Sequence, residues 1–222
     1  MAVSDTDELP VELLAAIRDI YTPSQLAVTT QPCREADPKG YVYQSCSFGL
    51  NGRSVAFRVA KTTLDRPGHF VTLWKRSSEG TVIVPFDSSD STDFVVVCVE
   101  SHRKCGKSYR GQFVFSKKIL TEKGIMSCNS KPGKLAFRVF PPWSEDLAIE
   151  SILELQKKSS PIKKTQYLSK SAIKSQNWQL DCFFPIAADG SANVAQVREL
   201  FDIGELSFAK TGIANETPER KS

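Results

Sequence analysis

Histidine is scarce in this chain of 222 residues: His69 and His102 are the only two. Two imidazoles cannot build a His-rich metal centre. The six cysteines, at positions 33, 46, 98, 105, 128 and 182, are irregularly spaced and never form a CxxC pair. The closely spaced thiol pairs of structural zinc modules are therefore missing. The tightest grouping, Cys98, His102 and Cys105, offers three ligands without a fourth, and Cys98 lies in an apolar run where a thiol is ordinary packing. There is no GxSxG elbow, no Walker loop and no GxGxxG fingerprint, so the usual signatures of serine hydrolases and nucleotide-binding folds are lacking. No apolar run reaches the roughly 18–20 residues of a membrane span. The acidic opening, Met1–Leu14, has no basic-led apolar segment of the secretory type. These absences lead to the expectation of a cytoplasmic protein with reduced thiols and no membrane partner.

The chain is long enough to bury one substantial core without disulfides or metal. Its net charge of +4 is too small to assign a partner by itself, so the local distribution of charge matters more. Apolar spacing predicts a first helix carrying Leu13, Ile17 and Ile20, with Asp7 as its cap and Pro10 in its first turn. Residues 22–40 read as turn-rich. Strands are expected over Tyr41–Leu50, Ser54–Ala60, Phe70–Trp74, Thr81–Phe86, Phe94–Val99, Gln112–Phe115 and Lys134–Phe140, with Asn51-Gly52 as a hairpin turn. Ser116 should cap a short helix that Gly124 ends, Ser144 should cap another, and Val194–Phe201 should form a terminal one. The first half of Lys157–Lys174, rich in Lys and Ser, reads as a mobile linker. The fold class expected is α+β: a single domain over residues 7–202, with a central mainly antiparallel or mixed sheet flanked by helices. Residues 203–222 read as a flexible tail.

Basic residues fall into three acid-poor segments: Arg58, Lys61, Arg66, Lys75 and Arg76; then Arg103–Arg110; then Lys157–Lys174. Phosphate contacts need clustered cations, and single strands reward aromatics beside them, here Trp74 and Trp143. Charge runs are more often solvated faces, which suffices for the lysine-rich segment. It suffices less for cations on strands of a sheet, which need partners. Metal-dependent cleavage would instead need carboxylates, often an acid two residues before a lysine on one strand face. Lys61 follows Val59-Ala60 and Lys75 follows Leu73-Trp74, so neither has that acid. Asp37-Pro38-Lys39 has the spacing but sits in a proline-broken stretch. The acids left to converge are Glu35, Asp37 and Asp87.

FRVAKTT, GHFVTLWKR, GQFVFSKKILTEKGI, LAFRVFPPW and NWQLDCFF, in that order, resemble successive motifs of the MepB-like family of bacterial cytosolic proteins. The resemblance covers most of residues 10–202. It implies a restriction-endonuclease-like fold and nucleic-acid binding. Three departures stand out. Gly40 replaces an acid before Tyr41, although Glu35 fits the earlier acid. In TLDRPGHF, Arg66 stands for the family's lysine and His69 for its glutamine. The lysine-rich segment near 157–170 looks like an insertion relative to the family.

Three functions follow as expectations. The first is a cytosolic nucleic-acid-binding protein, for DNA or RNA, with weak or no catalysis. Its binding residues would be Arg58, Lys61, Arg66, His69, Trp74, Lys75 and Arg76, and it would have neither cofactor nor resident metal. The second is a metal-dependent nuclease, with Glu35, Lys61 and Asp87 as its catalytic set around Mg²⁺ or Mn²⁺. The third is a module that binds an anionic metabolite or a protein partner.

Overall fold

In a computed structural model of the protein, the described residues are 9–35, 44–63, 66–77, 80, 82–102, 106–145 and 168–202. The chain opens with helix α1 (Val11–Ala16), which widens into a π-turn over Ile17–Tyr21. Strands β1 (Val28–Arg34), β2 (Cys46–Leu50), β3 (Arg53–Val59), β4 (Lys61–Thr62), β5 (His69–Thr72) and β6 (Trp74–Arg76) follow. Next come β7 (Ile83–Pro85), β8 (Phe94–His102), β9 (Ser108–Ser116), helix α2 (Lys117–Glu122) and β10 (Ala136–Val139). Helix α3 (Lys170–Leu180), β11 (Phe183–Ile186) and helix α4 (Val194–Leu200) complete the described elements.

The main sheet has the order β1-β2-β3-β8-β9-β11. All its pairs are antiparallel except β3 with β8. A parallel pair needs a long crossover. Here the crossover carries strands β4 to β7: β4 and β5 join β10, from later in the chain, in one small sheet, and β6 and β7 form another. The β2–β3 hairpin turns through Asn51 at φ 49° and Gly52 at φ 76°, the left-handed pair of a type I′ turn.

One face of the main sheet packs Phe48, Val55, Phe57, Val96 and Val114 against Leu13, Ile20, Tyr21, Val197 and Phe201 from the helical layer. Buried polarity on this side is satisfied: Tyr21 Oη donates to Gln112 Oε1 at 2.8 Å, and Gln112 Nε2 donates to Cys98 Sγ at 3.1 Å. Burial pushes the Cys98 thiol up to about 12. Cys98 is thus a packed thiol. His102 is exposed beside Glu100 at 3.6 Å, and Cys105 lies outside the described residues.

The opposite face packs Ala56, Val95, Val97, Phe113 and Phe115 against Val71, Leu73, Phe137 and Val139 of the small sheet. Strands β3 and β8 are thereby covered on both sides, which explains the near-continuous apolar run of β8. The outer edge of β10 is closed by fully buried Gln179 on α3, whose Oε1 accepts from Phe140 N (2.8 Å) and whose Nε2 donates to Arg138 O (2.9 Å). The amide side chain mimics a neighbouring strand and removes a pairing edge.

The α+β class and the mixed central sheet agree with the sequence expectation. One local reading does not. Residues 22–40 contain an edge strand, β1, which accommodates Pro32 because an edge needs fewer ladder donors. The second half of the lysine-rich stretch forms α3, capped by Ser169 Oγ accepting from Ala172 N. The runs 54–60 and 70–74 lie in different sheets. Asp7, the Asp37-Pro38-Lys39 triplet, the helix expected after Ser144 and the segment 157–167 fall outside the described residues. Among the described residues no helix is long and apolar enough to cross a membrane.

Candidate nucleic-acid interface

Residues 69–76 alternate between two environments. Val71 and Leu73 are fully buried in the core against the main sheet, and His69 is 1 % exposed on the same side. Along β5, Phe70 and Thr72 therefore point the other way, and Thr72 there is 8 % exposed. Register extends this outward side across the small sheet. Lys61 is the cross-strand partner of Phe70, and Arg138 is its partner on the other flank. Directly opposed residues share a face, so Lys61, Phe70 and Arg138 form one row. Trp74 and Arg76 follow on β6, which pairs with β7 in the separate two-stranded sheet. Lys61 and Arg76 are exposed, and Phe70 and Trp74 are half-buried. Neither ring joins the two core clusters. Strands β4, β5, β6 and β10 contain no carboxylate at all.

Arg138 also shapes the turn that carries Arg66. Its Nη1 donates to the carbonyls of Arg66 (3.3 Å), Pro67 (3.2 Å) and Gly68 (3.1 Å), and its Nη2 donates to Thr63 Oγ1 at 2.7 Å. Gly68 adopts φ +77°, and a Cβ there would meet the Phe140 ring at 2.6 Å and Val139 O at 2.9 Å, so the turn lies flat against β10 only with glycine. Arg66 is left exposed on this fixed turn.

Three of the expected binding residues face inward or are engaged. Arg58 is 1 % exposed. Its Nη2 meets Glu35 Oε1 at 2.8 Å, its Nη1 donates to Phe57 O at 2.9 Å, and its guanidinium carbon lies 5.7 Å from the centre of the Phe86 ring. A buried guanidinium of this kind is committed to the fold, and the expectation that it contacts phosphate is corrected. His69 Nδ1 is 3.1 Å from Thr62 Oγ1 and its Nε2 is 3.2 Å from Ser101 Oγ, which also accepts from Trp143 Nε1 at 3.0 Å. With Ser101 donating to Nε2 and Nδ1–H donating to Thr62, a neutral ring satisfies every group in the chain. Burial, helped by the charge of Arg138, lowers the imidazole to about 4. His69 is thus an uncharged joint between β4, β5 and β8, not a phosphate contact. Trp143 is 7 % exposed, stacks on Tyr109 at 5.4 Å and belongs to the core. Lys75 is half-buried and paired with Asp90.

The acids expected to serve catalysis are occupied. Glu35, at the end of β1, is bonded through both carboxylate oxygens to Arg58. Asp87 Oδ1 accepts from Ser89 N (2.9 Å) and Ser89 Oγ (2.7 Å), and these bonds lower its pKa. Asp90 Oδ2 accepts from Asp87 N, and Asp93 Oδ2 from Ser54 N. The Asp87–Asp93 series is thereby explained as turn and strand capping. Lys61 stands on the outward side of β4, while Glu35 turns toward the buried Arg58. Among the described residues no three His, Cys, Asp or Glu side chains gather as metal ligands. The sequence reading missed Phe70 and Arg138. Period-2 alternation through Trp74 marks Phe70, but nothing local pairs Arg138 with it.

The profile of the MepB-like family matches residues 37–159, more than half of the chain. The chain belongs to the MepB-like family. The crystal structure of MepB is similar to this MepB-like chain with a TM-score of 0.54 at 23% identity, covering 80% of this chain and 97% of that one. At that identity the likeness carries the fold. No curated protein matches the sequence.

Proposed function

We propose that this MepB-like protein binds nucleic acid, in the cytoplasm, through phosphate contacts from Lys61, Arg66 and Arg76. The observation that carries this reading is the row Lys61, Phe70 and Arg138 across the small sheet, with Arg66 exposed on the adjoining turn and Trp74 and Arg76 on the neighbouring strand β6; strands β4, β5, β6 and β10 hold no carboxylate. Cations beside aromatics match what a polyanion of stacked bases requires. Arg138 supports the same reading by fixing the turn that bears Arg66. The restriction-endonuclease-like core belongs to this proposal as the sequence resemblance implies it. Cleavage does not, because Glu35 is neutralised by Arg58 and Asp87 is tied into its own turn.

Fluorescence anisotropy of labelled oligonucleotides, titrated between about 50 and 200 mM salt, tests the proposal. Three phosphate contacts give a slope of log K against log salt of about −2 or steeper. Replacing Lys61, Arg66 and Arg76 together by alanine should flatten that slope by about 2. Affinity that does not change with salt would end the proposal.

A further inference from the structure

Independently of that reading, we infer that the chain carries a second binding site, for a compact oxyanion, where the edge strand β1 crosses β2 and β3. A hollow of about 220 Å³ lies there, and none of its lining residues belongs to β4, β5, β6 or β10. The register of β1 creates it. From Val28 opposite Leu50 to Thr30 opposite Gly49, β1 advances two residues while β2 advances one. From Thr30 to Cys33 it advances three while β2 advances two. Bulges of this kind re-aim side chains. Thr29 and Thr30, which regular alternation would send to opposite faces, both lean over Gly49. A Cβ on Gly49 would meet their Oγ1 atoms at 2.8 and 2.7 Å, so glycine alone leaves this space open. Phe48 and Leu50, on either side of Gly49, point into the first core, so the hollow opens on the other face of the sheet.

The lining is rich in hydrogen-bond donors that the fold leaves unused. Thr29 Oγ1 accepts from Gly52 N at 3.0 Å, so its own hydrogen is left to donate. Cys33 Sγ and Ser47 Oγ lie 3.4 Å apart, a contact that uses one of their two hydrogens. Among the described residues, the side chains of Thr30, Gln31, Arg53 and Ser54 have no hydrogen-bond partner. No carboxylate lines the hollow. The neighbouring Asp93 is committed elsewhere, with its Oδ2 accepting from the backbone N–H of Ser54 at 2.8 Å. Hydroxyls, an amide and one guanidinium without an acid to balance it suit an oxyanion, which accepts from several donors at once. Pockets for drug-sized ligands span about 300–1,000 Å³, and this one is smaller. Its occupant is therefore a phosphate or carboxylate group on a small molecule.

The test titrates the full chain, at constant ionic strength, with inorganic phosphate, with acetate, and with ribose as a neutral probe. Backbone amide NMR shifts report both the affinity and the place. Amides of residues 29–33 and 47–54 should move saturably with at least one anion and not with ribose. The tighter of the two anions identifies phosphate or carboxylate as the source. Arg53→Gln should weaken that binding by roughly 10- to 100-fold, the worth of a hydrogen bond to a charged group. Thr30→Val, which keeps the shape and loses a hydroxyl, should weaken it by roughly 2- to 10-fold. Both side chains are exposed and without partners among the described residues, so both variants should melt as the wild type does. No saturable shift with either anion would overturn the inference. So would an equal response to ribose, an Arg53→Gln variant that binds as tightly as wild type, or shifts confined to the small sheet. None of these results bears on the salt slope of oligonucleotide binding, so the two readings fail separately.

Discussion

The two sides of the small sheet are built from alternate residues of the same strands, yet they do different work. Inward, Val71, Leu73, Phe137 and Val139 are sealed against the main sheet, and the polar groups among them are neutral or paired. His69 is bonded at both ring nitrogens, and Arg58, across the same interface, is held by Glu35. Outward, Lys61 is exposed and Phe70 is half-buried, with Arg66 exposed on the adjoining turn and Trp74 half-buried and Arg76 exposed on the neighbouring strand β6. The difference teaches that a charged or titratable residue on a conspicuous motif is not thereby a ligand contact. In FRVAKTT, Arg58 and Lys61 are three residues apart, and one holds the fold while the other faces outward.

The largest effect should come from the inward cation. Arg58→Met is expected to destabilise the protein by about 3 kcal/mol, because it unpairs Glu35 and empties a packed site. Urea denaturation measures this, and the salt slope of binding should stay as in the wild type. A variant of normal stability with a flatter slope would instead put Arg58 on the binding side.

His69 sharpens the comparison through pH. Unfolded, its imidazole takes a proton near pH 6.5. Folded, it resists protonation down to about 4. The unfolded state therefore binds more protons between those values. The contribution is complete above about pH 6.5 and is lost as pH falls toward 4, amounting to about 3 kcal/mol. His69→Gln should remove that portion of the acid sensitivity, read as the difference between the two proteins' stability curves from pH 7 to pH 4. If both curves fall in parallel, His69 is not the neutral joint described.

Gln179→Ala should cost about 2 kcal/mol, since it strands the buried N–H of Phe140 and the carbonyl of Arg138. Faster amide exchange confined to β10 would locate the loss. The smallest effect is expected from Lys75→Met. Its pair with Asp90 is part-exposed, so at most about 1 kcal/mol of stability is lost, and the salt slope does not move. A slope that drops by a full contact would place Lys75 among the binding residues after all.

Much of this contrast was legible in the sequence, though not its sign. The alternation of Phe70, Thr72, Trp74 and Arg76 with Val71, Leu73 and Lys75 follows from strand geometry alone. Which side is inside depends on a second layer that no local pattern announces. Ala56 and Ala60 flank Arg58 on its side of β3. Small neighbours there allow a sheet to close over the arginine, whereas composition alone assigns it to solvent. Strand β1 was hidden by Pro32 and a run of polar residues, which an edge tolerates. Helix α3 was hidden by its lysines, since its hold on the protein comes from a few residues such as Trp178 and Gln179. The parallel pairing of β3 with β8 spans the strands β4 to β7, and hairpin reasoning looks only to the nearest strand. Of the candidate site, Lys61, Arg66, Trp74 and Arg76 are singled out by charge and aromatic pattern. Phe70 and Arg138 required the register.

The central claim is that binding belongs to the outward side alone. The most direct measurement is the slope of log K against log salt for oligo-dT with three proteins: wild type, the Lys61→Ala/Arg66→Ala/Arg76→Ala variant, and Lys75→Met. Single strands give about 0.7 of slope per phosphate contact, so the triple variant should flatten by about 2 while Lys75→Met superimposes on wild type. Identical slopes for the triple variant and wild type, or a flattened slope for Lys75→Met alone, would contradict the account.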